Sequence, residues 1–307
     1  MNNKWNEAEI MTSSERKIDE LVLGFWRLLD WNISPQQCLT FLEQAIEAGV
    51  TDTDHADIYG QYGCEAEFGK ALALKPSIRD EIKIITKCGI KPAFPSLGLE
   101  GKANHYDSSA QHIIASAQQS LKHFNTDRLD VLLIHRPDYL MHADEMAHAF
   151  NTLKQNGDVL EFGVSNFTPS QLSLLQSRLD FELVTNQIEC SPYEMKALDD
   201  GTLDQCQLLD IKPMFWSPLA GGRLFSDSDE KAIRLRHVLE QVASEIGASS
   251  IDQVVYAWLL MHPSAPSVVL GTGNIKRIES AVAAKQLKLN REQWYRIWQG
   301  STGHSVP

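Results

Sequence analysis

The chain has 307 residues, of which 43% are hydrophobic and 22% are charged, a composition typical of folded rather than disordered proteins. This length suits two domains of about 150 residues or one α/β barrel of about 250 residues. Lysine and arginine total 28 and aspartate and glutamate total 40, a net charge of −12. That charge argues against a nucleic acid or an anionic membrane as a partner, because both are held by basic surfaces.

The cysteine pattern and the first 20 residues favour a reducing compartment inside the cell. The five cysteines are odd in number and no two have Cys-x-x-Cys spacing, so we predict free thiols rather than disulfides or a zinc site. The first 20 residues lack the apolar core of a secretory signal, and no apolar run reaches the roughly 18 residues of a membrane span. We therefore predict a soluble, cytoplasmic protein.

Eight short apolar runs alternate with helical patterns along the chain. The runs predicted as strands cover residues 21–26, 51–55, 82–87, 129–135, 162–165, 183–187, 211–216 and 267–270. The predicted helices cover residues 35–50, 65–74, 108–123, 143–156, 203–209, 230–246, 251–261, 275–284 and 291–298, with one more beginning at 168–169. Ser34 and Pro35 suit the N-cap and first position of the first helix. The fourth run, LDVLLIH, is apolar on both faces, as a buried parallel strand should be.

This alternation predicts a single-domain (β/α)₈ TIM barrel over residues 19–307, after an N-terminal tail of residues 1–18. A doubly wound sheet is the alternative. Such a sheet would normally carry Gly-x-Gly-x-x-Gly after its first strand. Here the first strand runs into GFWRLLDW (24–31), which contains one glycine.

Polar residues follow most of the predicted strands, where a barrel has its active site. These residues are Asp52, Asp54, His55, Asp57, Tyr59, Thr86, Lys87, His135, Arg136, Asp138, Ser165, Asn166, Asn186, Gln187, Trp216 and Ser217. Each alone has a structural explanation, such as a helix-capping carboxylate, a solvated lysine or a core histidine. Their convergence on one barrel mouth favours a functional site.

Two reaction classes fit these residues. The first is metal-assisted hydrolysis, for which Asp54, His55, Asp57 and His135 could supply ligands, although the first strand offers no His-x-His. Serine hydrolysis is disfavoured because no Gly-x-Ser-x-Gly occurs.

The second class is proton-coupled hydride transfer to a carbonyl, without a metal. Tyr59 is the candidate acid, and a neighbouring Lys87 ammonium would lower its usual pKa of about 10. Asp54 can hold Lys87 in place, and His135 can orient the carbonyl oxygen.

A hydride donor of the nicotinamide type would need its own contacts. Ser165, Asn166 and Gln187 suit a carboxamide, and Trp216 offers an aromatic face. The segment VVLGTGNIKRIESA (268–281) has the strand, glycine turn and helix start of an anion site, or of an ordinary strand-to-helix turn.

Several motifs in the same order resemble the aldo-keto reductase family, from about residue 21 to about 284. They are DHADIYG (54–60), CEAEFGKAL (64–72), IITK (84–87), LDVLLIHRPD (129–138), GVSNF (163–167), NQIECSPY (186–193) and SPLAGGRL (217–224). DHADIYG together with LLIHRPD is most similar to a bacterial oxidoreductase branch of the family.

The resemblance implies a (β/α)₈ barrel that binds NADPH without a Rossmann domain. It assigns catalysis to Asp54, Tyr59, Lys87 and His135. The implied cofactor contacts are Ser165, Asn166 and Gln187 for the carboxamide, Trp216 for the ring, Ser217, Leu219 and Gly221 for the pyrophosphate, and Thr272 and Arg277 for the 2′-phosphate. Gly271 stands where some members carry a lysine, which removes one cationic contact.

The predicted function is NADPH-dependent reduction of an aldehyde or ketone to the alcohol, with Tyr59 as general acid. The predicted substrate pocket contains Trp26, Tyr59 and His135. Substrate specificity is expected to lie in loops 25–33, 89–107, 136–142 and 222–230. A nucleotide-sensing regulatory subunit on the same fold is the alternative. Nothing in the sequence indicates an oligomeric state.

Overall fold

The structure, a computed structural model, describes residues 18–307, so residues 1–17 of the predicted tail lie outside it. Within that range, eight parallel strands form one closed barrel in which each strand pairs with its neighbours in the sequence and the last pairs with the first. The strands are β1 (Leu21–Gly24), β2 (Asp52–Asp54), β3 (Lys83–Cys88), β4 (Leu129–Ile134), β5 (Val159–Ser165), β6 (Asn186–Glu189), β7 (Met214–Trp216) and β8 (Ser267–Leu270). The predicted TIM barrel is confirmed, and the doubly wound sheet is wrong.

Helices surround the barrel. They are α1 (Pro35–Glu47), α2 (Cys64–Leu74), α3 (Ala110–Phe124), α4 (Ala143–Asn156), α5 (Pro169–Gln176), α6 (Thr202–Leu208), α7 (Arg223–Ser226), α8 (Glu230–Ile246), α9 (Ile251–Leu260), α10 (Ile275–Ala284) and α11 (Arg291–Thr302). Short 3₁₀ helices cover Leu28–Trp31, Pro76–Glu81, Pro95–Leu97, Lys196–Leu198 and Ala220–Gly222. No helix within residues 18–307 is both long and apolar enough to cross a membrane.

Local sequence explains where several helices begin. Ser34 caps α1 as predicted: its Oγ accepts from the Gln37 amide at 3.2 Å, and Gln37 Oε1 accepts from the Ser34 amide at 2.8 Å. Thr168 and Asn290 make the same reciprocal caps at α5 and α11. Each cap satisfies backbone N–H groups that the first turn of a helix leaves free.

Two predicted loops contain regular structure. Within loop 89–107, Ile90–Lys91 pairs with His105–Tyr106 as a short antiparallel ribbon. The short helix α7 lies within loop 222–230. Both segments are too short for hydrophobic periodicity to reveal them.

Side chains inside the barrel form a small core separate from the larger one between strands and helices. Its members are Ile18, Val22, Ile85, Val131, Leu133, Met214 and Val269. Ile18, which the sequence analysis assigned to the tail, is therefore packed inside the barrel. Because side chains alternate along a strand, this inner core identifies which strand positions face inward.

Helix α2 packs tightly against the C-terminal end of α3 at Gly69. A Cβ added there would overlap the backbone carbonyl oxygen of His123, which no change of rotamer can relieve. Alanine normally stabilises a helix interior relative to glycine by about 1 kcal/mol. We expect the reverse for Gly69→Ala, a loss of about 1–3 kcal/mol in the free energy of unfolding, as for other overpacked sites.

Urea denaturation checks this expectation, with Gly271→Ala as the control. A Cβ at Gly271 would meet nothing within 4 Å and its φ is not in the left-handed region, so the control should stay within about 0.5 kcal/mol of wild type. Equal stability of the two variants would contradict the close approach.

Candidate active site

The alternation of strand side chains brings the predicted catalytic residues together. Asp54 is in register with Ile85, and Lys87 is in register with Leu133, and both partners belong to the inner core. Asp54 and Lys87 therefore point into the barrel. His135 lies two positions beyond Leu133, just past the end of β4, so all three groups meet at the C-terminal mouth.

Lys87 is the centre of this group and is fully buried. Its Nζ donates to Asp54 Oδ2 at 2.8 Å, to the His55 carbonyl oxygen at 2.6 Å and to Tyr59 Oη at 3.1 Å. These contacts use all three ammonium donors. Burial lowers the pKa of Lys87, but the neighbouring Asp54 and Tyr59 outweigh it and the net pKa is raised. The ammonium therefore stays charged where it contacts the phenol.

Tyr59 lies in the turn between β2 and α2. Its carbonyl oxygen accepts from the amides of Gly63 and Cys64, each at 3.1 Å, which fixes the turn at the start of α2. The pKa of Tyr59 is raised above its usual value, because burial outweighs the opposing effect of Lys87. The expected net lowering is therefore wrong: the ammonium acts in the predicted direction, but desolvation of the phenol is the larger effect.

His135 completes the mouth beside Tyr59, with the two ring centroids 5.7 Å apart. Burial, assisted by the positive charges of Lys87 and Arg136, holds the pKa of His135 well below its usual value. The imidazole is therefore neutral near pH 7 and keeps one N–H to donate. A neutral imidazole can donate a hydrogen bond to a carbonyl oxygen and orient it, while the proton for that oxygen comes from another group.

The mouth has two arms. The first consists of Asp54, Tyr59, Lys87 and His135, and the second consists of the residues predicted to hold a nicotinamide. Trp216 Nε1 donates to Asn166 Oδ1 at 3.2 Å, and Asn166 Nδ2 donates to Ser165 Oγ at 2.8 Å. Ser165 Oγ donates to the Gln187 carbonyl oxygen at 2.9 Å. Gln187 Nε2 then donates to Asp54 Oδ1 at 2.7 Å. One hydrogen-bonded chain thus links both arms.

Two residues of the second arm have unusual backbones. Asn166 has φ of 59° and Ser217 has φ of 52°, the left-handed region that non-glycine residues seldom adopt. Such conformations cost about 1–3 kcal/mol and cluster at functional sites. They turn the chain sharply at the ends of β5 and β7, where these side chains are needed at the mouth.

The predicted phosphate contacts lie on two turns. Leu219 and Gly221 lie in the turn after β7, where the Ala220 amide donates to the Ser217 carbonyl oxygen at 2.8 Å. At the second turn, Asn274 caps α10 by accepting from the Lys276 amide at 3.0 Å, and Thr272 Oγ1 accepts from the Asn274 amide at 3.2 Å. Arg277 is exposed in the first turn of α10.

The residues of the metal alternative do not come together. His55 follows Asp54 directly and faces outward, with its ring stacked on Phe25 at 4.9 Å and packed against Phe68 and Phe124. Within residues 18–307, no cluster of three or more His, Cys, Asp or Glu side chains is arranged to hold a metal. The predicted ligand set is wrong because His55, directly after the end of β2, points to the opposite side from the inward-facing Asp54.

The predicted pocket wall Trp26 is 60% exposed, on the loop that follows β1. Trp31, on the same loop, packs against Phe25 and Phe41 at 5.6 Å each. The face of its indole also covers Gly273, where an added Cβ would lie 2.6 Å from the ring. Trp31 therefore packs directly on the turn before α10, which needs glycine at this position.

Two residues beside the site, Arg136 and Glu65, had no predicted role. The guanidinium of Arg136 lies 5.6 Å from the Trp216 ring centroid. Glu65 is buried behind the site and accepts from Thr86 Oγ1 at 2.6 Å and from Ser120 Oγ at 2.9 Å. The burial of Glu65 could have been predicted from the sequence, because Glu65 shares a helical face with the apolar Phe68 and Leu72.

Comparison with known proteins identifies the family. The sequence model of the aldo/keto reductase family matches residues 20–299. The chain belongs to this family. It is therefore an oxidoreductase of the kind that acts on carbonyl compounds, and the predicted resemblance is confirmed.

Individual relatives agree. The chain is 52% identical to the oxidoreductase YdhF of Escherichia coli K12, over 95% of this chain and 96% of that protein. It is 39% identical to a 6-dehydroglucose reductase of Agrobacterium fabrum, over 97% of this chain and 99% of that protein. A crystal structure of the thermostable aldo-keto reductase Tm1743 with the inhibitor epalrestat superposes with a TM-score of 0.74 at 25% identity, covering 92% of this chain and 95% of that chain.

Proposed function

We propose that this oxidoreductase uses NADPH to reduce an aldehyde or ketone to the alcohol, with Tyr59 as the proton donor. The observation that carries the proposal is the position of the buried Lys87 ammonium, 2.8 Å from Asp54 Oδ2 and 3.1 Å from Tyr59 Oη. A phenol with an adjacent ammonium can give up its proton because the resulting phenolate is stabilised where it forms.

Each side chain has one task in the proposed reaction. Tyr59 Oη transfers its proton to the carbonyl oxygen, and the Lys87 ammonium stabilises the phenolate that remains. His135, neutral beside Tyr59, donates a hydrogen bond that orients the carbonyl. Asp54 keeps Lys87 charged and directed at Tyr59. The carbonyl oxygen gains a proton and the carbonyl carbon gains a hydride, so the product is an alcohol.

The second arm of the mouth suits the cofactor. Ser165, Asn166 and Gln187 are linked by hydrogen bonds beside the Trp216 indole, which matches the polar edge and flat face of a nicotinamide. Ser217, Leu219 and Gly221 would contact the pyrophosphate, and Thr272 and Arg277 the 2′-phosphate. When bound, NADPH supplies the hydride.

A turnover assay tests the proposal. Purified protein is mixed with NADPH and a panel of aldehydes and ketones, and the oxidation of NADPH is followed. The panel includes 6-dehydroglucose, because one relative is named a 6-dehydroglucose reductase. Turnover of at least one carbonyl compound supports the proposal. Tight NADPH binding without turnover of any compound would favour the nucleotide-sensing alternative.

We expect NADPH to bind more tightly than NADH because of Arg277. A charge-assisted contact to the 2′-phosphate is worth about 1.5–3 kcal/mol, or roughly 10–150-fold in affinity. The net charge of −12 opposes every anion, but screening limits its reach to about 8–10 Å. Arg277→Ala should erase most of this preference. The dissociation constants of NADPH and NADH are measured by adding each cofactor to the protein and following the quenching of tryptophan fluorescence.

The control for Arg277 is Arg291→Ala, which removes an exposed arginine from the start of α11 instead. It changes the net charge equally and should keep the preference for NADPH. If the wild type binds both cofactors equally, or if Arg277→Ala keeps the preference of the wild type, this turn does not bind the 2′-phosphate.

A further inference from the structure

The two oxygens of Asp54 have different partners, and both contacts are buried. Oδ2 accepts from Lys87 Nζ at 2.8 Å, and Oδ1 accepts from Gln187 Nε2 at 2.7 Å. A carboxylate can only accept hydrogen bonds, so the N–H₂ side of the Gln187 amide must face Asp54. The side-chain nitrogen of Gln187 therefore donates to Asp54, and its side-chain oxygen remains available to accept from another donor.

Gln187 is also tied to the second arm through its backbone. Its carbonyl oxygen accepts from Ser165 Oγ at 2.9 Å and from the Asn166 amide at 2.9 Å. The strand register explains why one residue reaches both arms: Gln187 is level with Ser165 and with the inward-facing Met214. Its side chain consequently crosses the barrel interior towards β2, and Asp54 is 133 positions away in the sequence.

From this geometry we propose that Gln187, besides contacting the cofactor, is a positioning residue that holds Asp54, and through it Lys87, in the arrangement that activates Tyr59. This inference rests on the proposed function. Without the amide, Oδ1 would lose its buried donor, and both carboxylate oxygens would compete for the one ammonium. Lys87 would then be drawn from Tyr59 towards Asp54.

The charges around Tyr59 fix the direction of the effect. Burial and Asp54 raise the pKa of Tyr59, whereas Lys87 and Arg136 lower it. The fourth neighbour, His135, is held neutral because its own pKa is low. Removing the Gln187 amide strengthens the effect of Asp54 and weakens that of Lys87. Both changes raise the pKa of Tyr59.

Gln187→Met tests the inference, because methionine keeps the length of the side chain without a donor. In cofactor-free protein labelled with a fluorinated tyrosine, fluorine NMR follows the ionisation of Tyr59, whose signal is assigned by its loss in Tyr59→Phe. We expect an upward shift of about 0.5–1 pH unit, the size of one lost hydrogen bond. At saturating NADPH we expect kcat to fall on the order of 10–100-fold, as for a slightly misplaced reacting group.

Ser165→Ala is the matched comparison. It removes a hydrogen bond to the Gln187 backbone but leaves the amide on Asp54, so the Tyr59 titration should match wild type while NADPH binds more weakly. Gln187→Met with an unchanged titration, and only weaker NADPH binding, would overturn the positioning role and leave Gln187 as a cofactor contact.

Gln187→Glu provides a second, independent test. A protonated glutamic acid can donate to Asp54, whereas an ionised one repels it, so this variant should regain activity as the pH falls while Gln187→Met should not. Equal pH profiles for the two variants would also overturn the inference. If no carbonyl compound is turned over by the wild type, the proposed function fails, and the NMR titration still decides the link between Gln187 and Tyr59.

Discussion

Replacement of Tyr59 by phenylalanine is expected to lower kcat for carbonyl reduction by about 10²–10⁴-fold, the usual contribution of a general acid. The phenol hydroxyl is the proposed proton donor, and phenylalanine keeps the ring while removing it. NADPH affinity should change little, because the proposed cofactor contacts lie on the other arm. Steady-state kinetics and a fluorescence titration with NADPH separate the two effects.

Tyr62→Phe is the control for this variant. Tyr62 lies on the same turn, and its ring contacts Phe94 at a centroid distance of 6.1 Å rather than Lys87. It should keep wild-type turnover. A Tyr59→Phe variant within about threefold of wild-type kcat would show that another group supplies the proton.

Replacement of Lys87 by methionine is expected to impair both activity and stability. The ammonium lowers the pKa of Tyr59, so its loss raises that pKa, and the alkaline limb of kcat/KM should move to higher pH as the rate falls. The variant also leaves the buried Asp54 carboxylate without its cation. Breaking one side of a buried ion pair typically costs about 3–5 kcal/mol of the free energy of unfolding. A pH–rate profile and urea denaturation measure the two losses.

The double variant Lys87→Met with Asp54→Asn separates the cause of the stability loss from the cause of the activity loss. Neutralising Asp54 removes the unpaired buried charge, so most of the stability should return, while activity should remain low because no cation faces Tyr59. A single Lys87→Met variant with wild-type stability and an unchanged pH profile would mean that Lys87 is a bystander.

The regular part of the fold could be predicted from the sequence because local signals agree there with tertiary packing. The bounds of α4, α8, α10 and β8 coincide with the predicted ranges. Strand starts were less accurate: β5 begins at Val159 rather than at 162. The reason is that the polar Glu161 interrupts the apolar run, although the strand continues back to the buried Val159.

The residue types of the site and the contacts of Lys87 with Asp54 and Tyr59 could be predicted, but not every pairing. Motif order identified Asp54 and Lys87, yet the bond from Asp54 to Gln187 depends on how two distant strands face across the barrel. Interpretation of His55 as a ligand failed because it points away from Asp54 and packs among Phe25, Phe68 and Phe124. The direction of the Tyr59 pKa depends on burial, which a one-dimensional pattern does not measure.

The contact between Trp31 and Gly273 has a consequence for altering the substrate range. Trp31 belongs to a loop expected to shape the substrate pocket, while Gly273 belongs to the turn proposed to select NADPH. Since the indole packs directly on the glycine, the two loops share one packing surface. A loop graft from another reductase that omits Trp31 would leave this turn without its support, so a change of substrate would bring a change of coenzyme with it. Grafts that retain Trp31 would keep the two properties separate.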